Sequence, residues 1–232
     1  MGCSLGPSGT KYFEEISFFY DAQNTRSYAG TGSTWTDISI SGIDSSISNA
    51  LFSGLGVTAA TFVFNALSGV ISMGANTRKN VTTVWTLDFW INPSGYGQNN
   101  IGRVYQHSSG SLTGFIVSVD NANNTAGITL NTYAIAGFSA KSANTVTLNT
   151  WQNFTLSFNS GVVTWYKNGA SLGTSSITSP SAYTSGSYVG NGPGGTNTFS
   201  GLIGMIKLYR NAFTADDVLQ NYNSYKGRYG LS

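Results

Sequence analysis

Short apolar or alternating runs, separated by turn residues, recur along the chain from residue 16 to residue 209. Residues 16–20, Ile-Ser-Phe-Phe-Tyr, read as a first strand that ends at Asp21. Residues 61–64 and 70–73 are both strand-like, and the five residues between them end at Gly69, which predicts a hairpin. From Trp85 to Ile91 the pattern alternates. Leu87, Phe89 and Ile91 fall on one face, Thr86, Asp88 and Trp90 on the other, and Pro93 closes the run. Residues 114–119 and 127–133 bracket a polar loop at 120–125. The clearest local signal lies between 151 and 172. There Trp151, Asn153, Thr155 and Ser157 oppose Gln152, Phe154, Leu156 and Phe158, and Asn168-Gly169 suits a type I′ turn, whose central residues both need positive φ. A meander of three antiparallel strands follows from this. A glycine-rich loop at 190–195 precedes a last long run at 199–209.

One helix is predicted after that run. Thr214 caps it, Asp216 and Asp217 sit near its positive end, and Phe213, Val218, Leu219 and Tyr222 share a stripe that ends before Gly227. No internal repeat and no break in composition divides the chain, so one domain is expected over residues 16–232, after a flexible arm at 1–15. Tyr12, Phe13 and Ile16 form a small apolar cluster suited to docking that arm on a partner.

Composition then narrows the class. Of 232 residues 29 are Gly, 13% are aromatic and only 9% are charged, which favours an all-β domain with many turns. A net charge of +2 cannot neutralise a run of phosphates, so no nucleic-acid partner is expected. No segment approaches the ~18 apolar residues of a membrane-spanning helix. The single cysteine, Cys3, offers no intramolecular disulfide. The start at Met1 lacks the basic region and apolar run of a secretory signal, and the expectation is a protein made in a cytoplasm.

Catalytic chemistry finds little support. Glycoside hydrolysis usually needs two facing carboxyls, and the nine acidic residues supply no pair two apart on a strand. Asp88, inside a strand, is expected to be hydrogen-bonded and structural. The sole histidine, His107, lies in a polar stretch without a Gly-x-Ser-x-Gly elbow and reads as a solvated loop residue. One Cys and one His leave no zinc set, and the 190–195 loop lacks the Gly-Lys-Ser/Thr ending of a phosphate loop. Calcium is not favoured, and no cofactor is expected. Asp120 is the weak candidate for a metal ligand, but Ala122 stands where an EF-hand loop needs an oxygen. The candidates for ligand binding are loop aromatics and amides: Tyr96, Gln98, Asn99, Tyr133, Tyr183, Tyr188 and Asn191. Such residues suit sugar faces and protein interfaces alike.

Four ordered motifs carry a resemblance. Residues 20–39 (Tyr20-Asp-Ala-Gln-Asn onward), 87–93 (Leu-Asp-Phe-Trp-Ile-Asn-Pro), 151–158 with 166–169, and 199–222 together resemble concanavalin A-like, laminin-G-like jelly-roll domains. The resemblance covers about residues 16–230. It implies a sandwich of two antiparallel sheets with one short C-terminal helix, the curved sheet forming a groove. The family's glucanase strand, Glu-x-Asp-x-x-Glu, and the acid-and-histidine metal motif of legume lectins have no match here. Residues 222–231 resemble versions found in phage virion proteins. The resemblance therefore implies a non-catalytic phage virion surface protein, a capsid decoration, head-fibre or tail-associated subunit. Its partners would be virion structural proteins such as the capsid, host-surface glycans, and further copies of itself in a homo-oligomer. The alternative is a bacterial carbohydrate-binding or adhesion module.

Overall fold

The computed structural model describes residues 13–54, 60–65, 69–108, 112–134 and 136–232, without the side chains of Phe13, Asn123, Ala136 and Phe138. Among these residues two eight-stranded antiparallel sheets are packed face to face. The first runs, in spatial order, β14 (Ala170–Ser176), β13 (Val162–Lys167), β12 (Gln152–Asn159), β7 (Val84–Pro93), β16 (Ser200–Tyr209), β5 (Thr61–Asn65) and β4 (Leu51–Ser53). Strand β1 (Ile16–Asp21) pairs with the second half of β16. The second sheet runs β11 (Ala136–Ser142), β10 (Gly127–Ala134), β9 (Thr113–Asp120), β8 (Ile101–Ser108), β15 (Ser187–Val189), β6 (Val70–Met73), β3 (Ser45–Ser48) and β2 (Thr34–Trp35).

Alternation decides which side of each strand is dry. Leu87, Phe89 and Ile91 meet Phe154, Leu156 and Phe158 on the inner face of the first sheet, opposite Phe115, Val117, Val119, Ile128 and Leu130 of the second. Trp85 ties the layers together. Its ring stacks 5.0 Å from Phe158 in its own sheet and 4.6 Å from Phe115 in the other. The meander β12-β13-β14 forms as its alternation predicts, and Asn168 (φ 49°) and Gly169 (φ 80°) make the expected turn. Apart from Ser160, every non-glycine residue at positive φ among those described is an asparagine, which explains the chain's appetite for that residue in turns.

The expected hairpin at 61–73 does not form. Strand β5 joins the first sheet and β6 the second, because Phe62 and Phe64 must enter the core from one side and Ile71 and Met73 from the other. A connection that crosses between layers looks, in sequence, like a hairpin loop.

The outer face of the first sheet is also covered. Helix α1 (Ala215–Tyr225) starts with a full capping box between Thr214 and Asp217. Val218 and Tyr222 pack with Trp90, Met205 and Tyr209 in a second apolar cluster, closed by Tyr229 stacked 4.2 Å from Trp90. Leu219, expected in the buried stripe, is 47% exposed, since it lies beside the turn at Gly169 rather than over the sheet. Ile16 belongs to this cluster and pairs with Tyr209, so it is part of the domain and not a free anchor of an arm. Tyr12 and the side chain of Phe13 lie outside the described residues. Arg228 holds the C-terminal turn to β1 by a two-pronged contact with Asp21 (2.7 and 2.9 Å).

Beneath the helix sits a buried polar group. Asp88 on β7 accepts hydrogen bonds from Asn153 and Thr155, both at 2.8 Å, and Lys207 Nζ stands 3.4 Å away as its ion-pair partner. The Lys207 ammonium donates to Asn221 of α1 (2.7 Å) and lies 4.2 Å from the Tyr225 ring centre. Asp88 thus has the structural role its place in a strand suggests.

Candidate functional site

With α1 on the first sheet, the outer face of the second sheet is where polar and aromatic side chains gather. Register sets them in rows. One row crosses four strands as Tyr188 on β15, Gln106 on β8, Ile116 on β9 and Asn131 on β10. The next holds Arg103, Ser118, Thr129 and Lys141. Tyr133 stands on the same face, two residues beyond Asn131 on β10. Gln106, Ile116 and Ser118 form a buried floor, while Tyr188, Asn131, Tyr133 and Arg103 are half-buried.

The 190–198 loop walls one side of this face. It hydrogen-bonds along β8 through Gly190 N to Val104 O (3.0 Å) and Arg103 N to Asn197 O (2.8 Å). Arg103 Nη1 donates to Gln106 Oε1 (2.6 Å) and Thr196 Oγ1 (3.0 Å). A Cβ at Gly192 would lie 1.8 Å from Arg103 Nη1, so only glycine lets the loop press this close. Burial pushes the arginine's pKa down and the nearby Tyr133 phenol opposes it, but a guanidinium stays charged.

Of the residues singled out in the sequence, Tyr133 and Tyr188 stand on the same face, three strand spacings apart. Tyr183 packs edge-on against His107 with ring centres 4.9 Å apart. Tyr96 packs against the main core. Gln98 and Asn99 sit in an exposed turn, where Asn99 donates to Asn197 (3.0 Å). Asn191 is fully buried, its amide donating to Gly69 O, because the glycine-rich loop folds inward at that point. It therefore offers no exposed amide to a ligand. Sequence reasoning missed Arg103, Gln106, Asn131 and Thr196. The one local signal was a cation set in the otherwise uncharged run 101–108.

Asp120 is not free for a metal. It accepts from Ala122 N (2.6 Å) and Thr129 Oγ1 (3.0 Å), and the Lys141 ammonium lies 3.2 Å away, where a cation would sit. No group of three or more His, Cys, Asp or Glu that could hold an ion occurs among the described residues.

His107 is not in a solvated loop. It lies in β8 at 1% exposure, Nδ1 2.7 Å from Ser187 Oγ. Burial first and the Lys79 charge second press its pKa down to about 3, so the ring is neutral across the working range. Lys79 is itself buried, donating to Gly74 O, and burial lowers its pKa from 10.5 to about 8. The sign of its effect follows. Below pH 8 the folded state carries the full cost of a buried ammonium, on the order of 3 kcal/mol. As pH rises from 8 to 10.5 the folded state loses this proton before the unfolded state does, and that cost is relieved. Lys79→Met should therefore gain stability over the wild type at pH 7 in urea unfolding, with the gain shrinking towards pH 10. A constant difference across that range would contradict the assignment.

The chain belongs to the concanavalin A-like lectin/glucanases superfamily, whose family model matches residues 68–219. In sequence, no curated protein matches it. Among solved structures it is similar to the binding domain of the paraclostridial mosquitocidal protein 1, with TM-score 0.72, 15% identity, and coverage of 94% of this chain and 56% of that one. Domain 4 of AbnA, an extracellular arabinanase of Geobacillus stearothermophilus, in complex with arabinotriose, gives 0.66 at 13% identity over 89% and 97%. A botulinum neurotoxin type C structure concerned with ganglioside-dependent cell entry gives 0.69 at 10% identity over 93% and 52%. The chain thus spans about half the length of both toxin chains and nearly all of the arabinanase domain. At these identities the likeness is one of fold: a jelly-roll sandwich with a C-terminal helix.

Proposed function

We propose that this chain is a non-catalytic glycan-binding module whose binding surface is the outer face of the second sheet. The row Tyr188–Gln106–Ile116–Asn131, with Tyr133 beside it, carries the proposal. It sets two half-buried aromatic rings and the half-buried amide of Asn131 over a buried floor of Gln106, Ile116 and Ser118, the chemistry that holds sugar rings. Family membership supports it, as does the similarity to an arabinanase domain solved with a trisaccharide. The acids serve the fold: Asp21 pairs with Arg228, Asp88 with Lys207, Asp120 with Lys141, and Asp37 accepts from the backbone at Phe19 and Ile43.

A glycan array on the full chain should show binding that falls about tenfold with either Tyr133→Ala or Tyr188→Ala, since an interface tyrosine commonly contributes ~1 kcal/mol or more. Both rings are half-buried, so both variants should keep their melting behaviour. Binding that survives both changes would place the site elsewhere. At a finer level we place the module on a phage virion surface, with the capsid or another structural protein as partner. The sparse charge and the ending at residues 222–231 support this placement. Absence of the chain from purified particles would remove it.

A further inference from the structure

We propose that the ligand of this face is an acidic sugar, its carboxylate held by Arg103. The inference rests on the glycan-binding role above and names the class of glycan. Among the described residues the three ion pairs engage Lys141, Lys207 and Arg228, and Arg103 has no acid partner. It is nonetheless half-buried, and its head is fixed on one side. Nη1 is taken by the neutral oxygens of Gln106 and Thr196, and Gly192 presses against it. No hydrogen bond among the described residues uses Nη2 or Nε. A partly desolvated guanidinium held still, with donors to spare and no counter-charge, is arranged to receive a planar anion by a charge-assisted, forked contact.

A second observation points the same way. Ser118 is the cross-strand partner of Arg103 on the same face, and its hydroxyl is fully buried with no hydrogen-bond partner among the described residues. Unpaired buried hydroxyls are uncommon in native proteins. This one stands in register with Arg103 on the adjacent strand, in the floor of the same face. The local charge also favours an anion. Asp120, two residues along β9, is neutralised by Lys141, which leaves Arg103 as the unbalanced charge of the face. Tyr188 and Asn131 stand three strand spacings apart, roughly 14 Å at ~4.8 Å per spacing, so neutral rings of the same oligosaccharide can occupy the row while one acidic ring meets Arg103.

The test compares neutral, uronate-containing, sialylated and sulfated oligosaccharides on the full chain, with methyl esters of the carboxylated ligands as controls. Carboxylated glycans should bind, their methyl esters at least tenfold more weakly. Arg103→Gln should lose at least tenfold for the acids, and Arg103→Lys should fall between, since it keeps the charge and loses the fork. The ester comparison uses the unaltered protein, so it decides the matter even if a variant folds poorly. Equal binding of acid and ester, preference for neutral glycans, or binding of sulfated glycans alone would each overturn the carboxylate while leaving the glycan-binding face standing. Failure of every glycan to bind would overturn the glycan-binding role itself, and the carboxylate with it.

Discussion

Lys207→Met should destabilise the fold by about 3–5 kcal/mol, because it strands the Asp88 carboxylate without its cation beneath the helix. Both residues are essentially inaccessible, at 1% and 0% side-chain exposure, so water cannot replace the lost partner. The lysine also contributes more than charge. Its ammonium reaches Asn221 on α1 and lies over the Tyr225 ring, 5.3 Å from the Phe19 ring and 5.7 Å from that of Tyr209. Burial alone would lower its pKa. The Tyr209 and Tyr225 phenols, and after them the Asp88 carboxylate, outweigh that and raise it, so the group stays charged at any working pH. Urea unfolding of the single variant, read beside Asp88→Asn/Lys207→Met, separates the two contributions. Removing both charges should recover a large part of the loss, since the amide oxygen introduced by Asp88→Asn would still accept from Asn153 and Thr155. A single variant within 1 kcal/mol of wild type would show that the pair does not hold the helix down.

Trp85→Ala should cost a similar amount, about 3–5 kcal/mol, through lost burial and the cavity it leaves. Trp85 is fully buried and lies nearly parallel to both Phe158 and Phe115, with interplanar angles of 10° and 14°. It is a stack that starts in one sheet and ends in the other. Its removal therefore loosens the contact between layers rather than one strand. Trp85→Phe, which keeps an aromatic ring in the gap, should lose less than half as much. Equal losses for the two variants would mean that filling the gap with a smaller ring recovers nothing, and that the cost is not set by the volume removed.

What the chain announces and what it conceals divide along physical lines. The meander at 151–172 is legible because each strand has one wet-looking and one apolar face, and because Asn168-Gly169 fits few turns but the one observed. Helix α1 is legible from Thr214 and the two aspartates after it. Strand β8 is concealed. Arg103, Gln106 and His107 make residues 101–108 look like a polar loop, yet the bulge between Arg103 and Tyr105 turns Val104 and Tyr105 both inward and buries His107 against Tyr183. The assignment of β5 and β6 to different sheets has no local signature at all. The candidate site fails to show for the same reason. Tyr188, Gln106, Ile116 and Asn131 come from four strands, and only register makes them neighbours.

The coverage of the first sheet gives the molecule a front and a back. Strand β1 and the C-terminal turn meet on the helix side, where Ile16 and Leu231 share one apolar cluster and Arg228 grips Asp21. Anything tethered through either end of the domain consequently adjoins that side. The row from Tyr188 to Asn131 then looks the opposite way, unshaded by its own support. Orientation is thus settled by the fold itself, and a carrier that displays many copies by their ends would turn the outer faces of all their second sheets outward together.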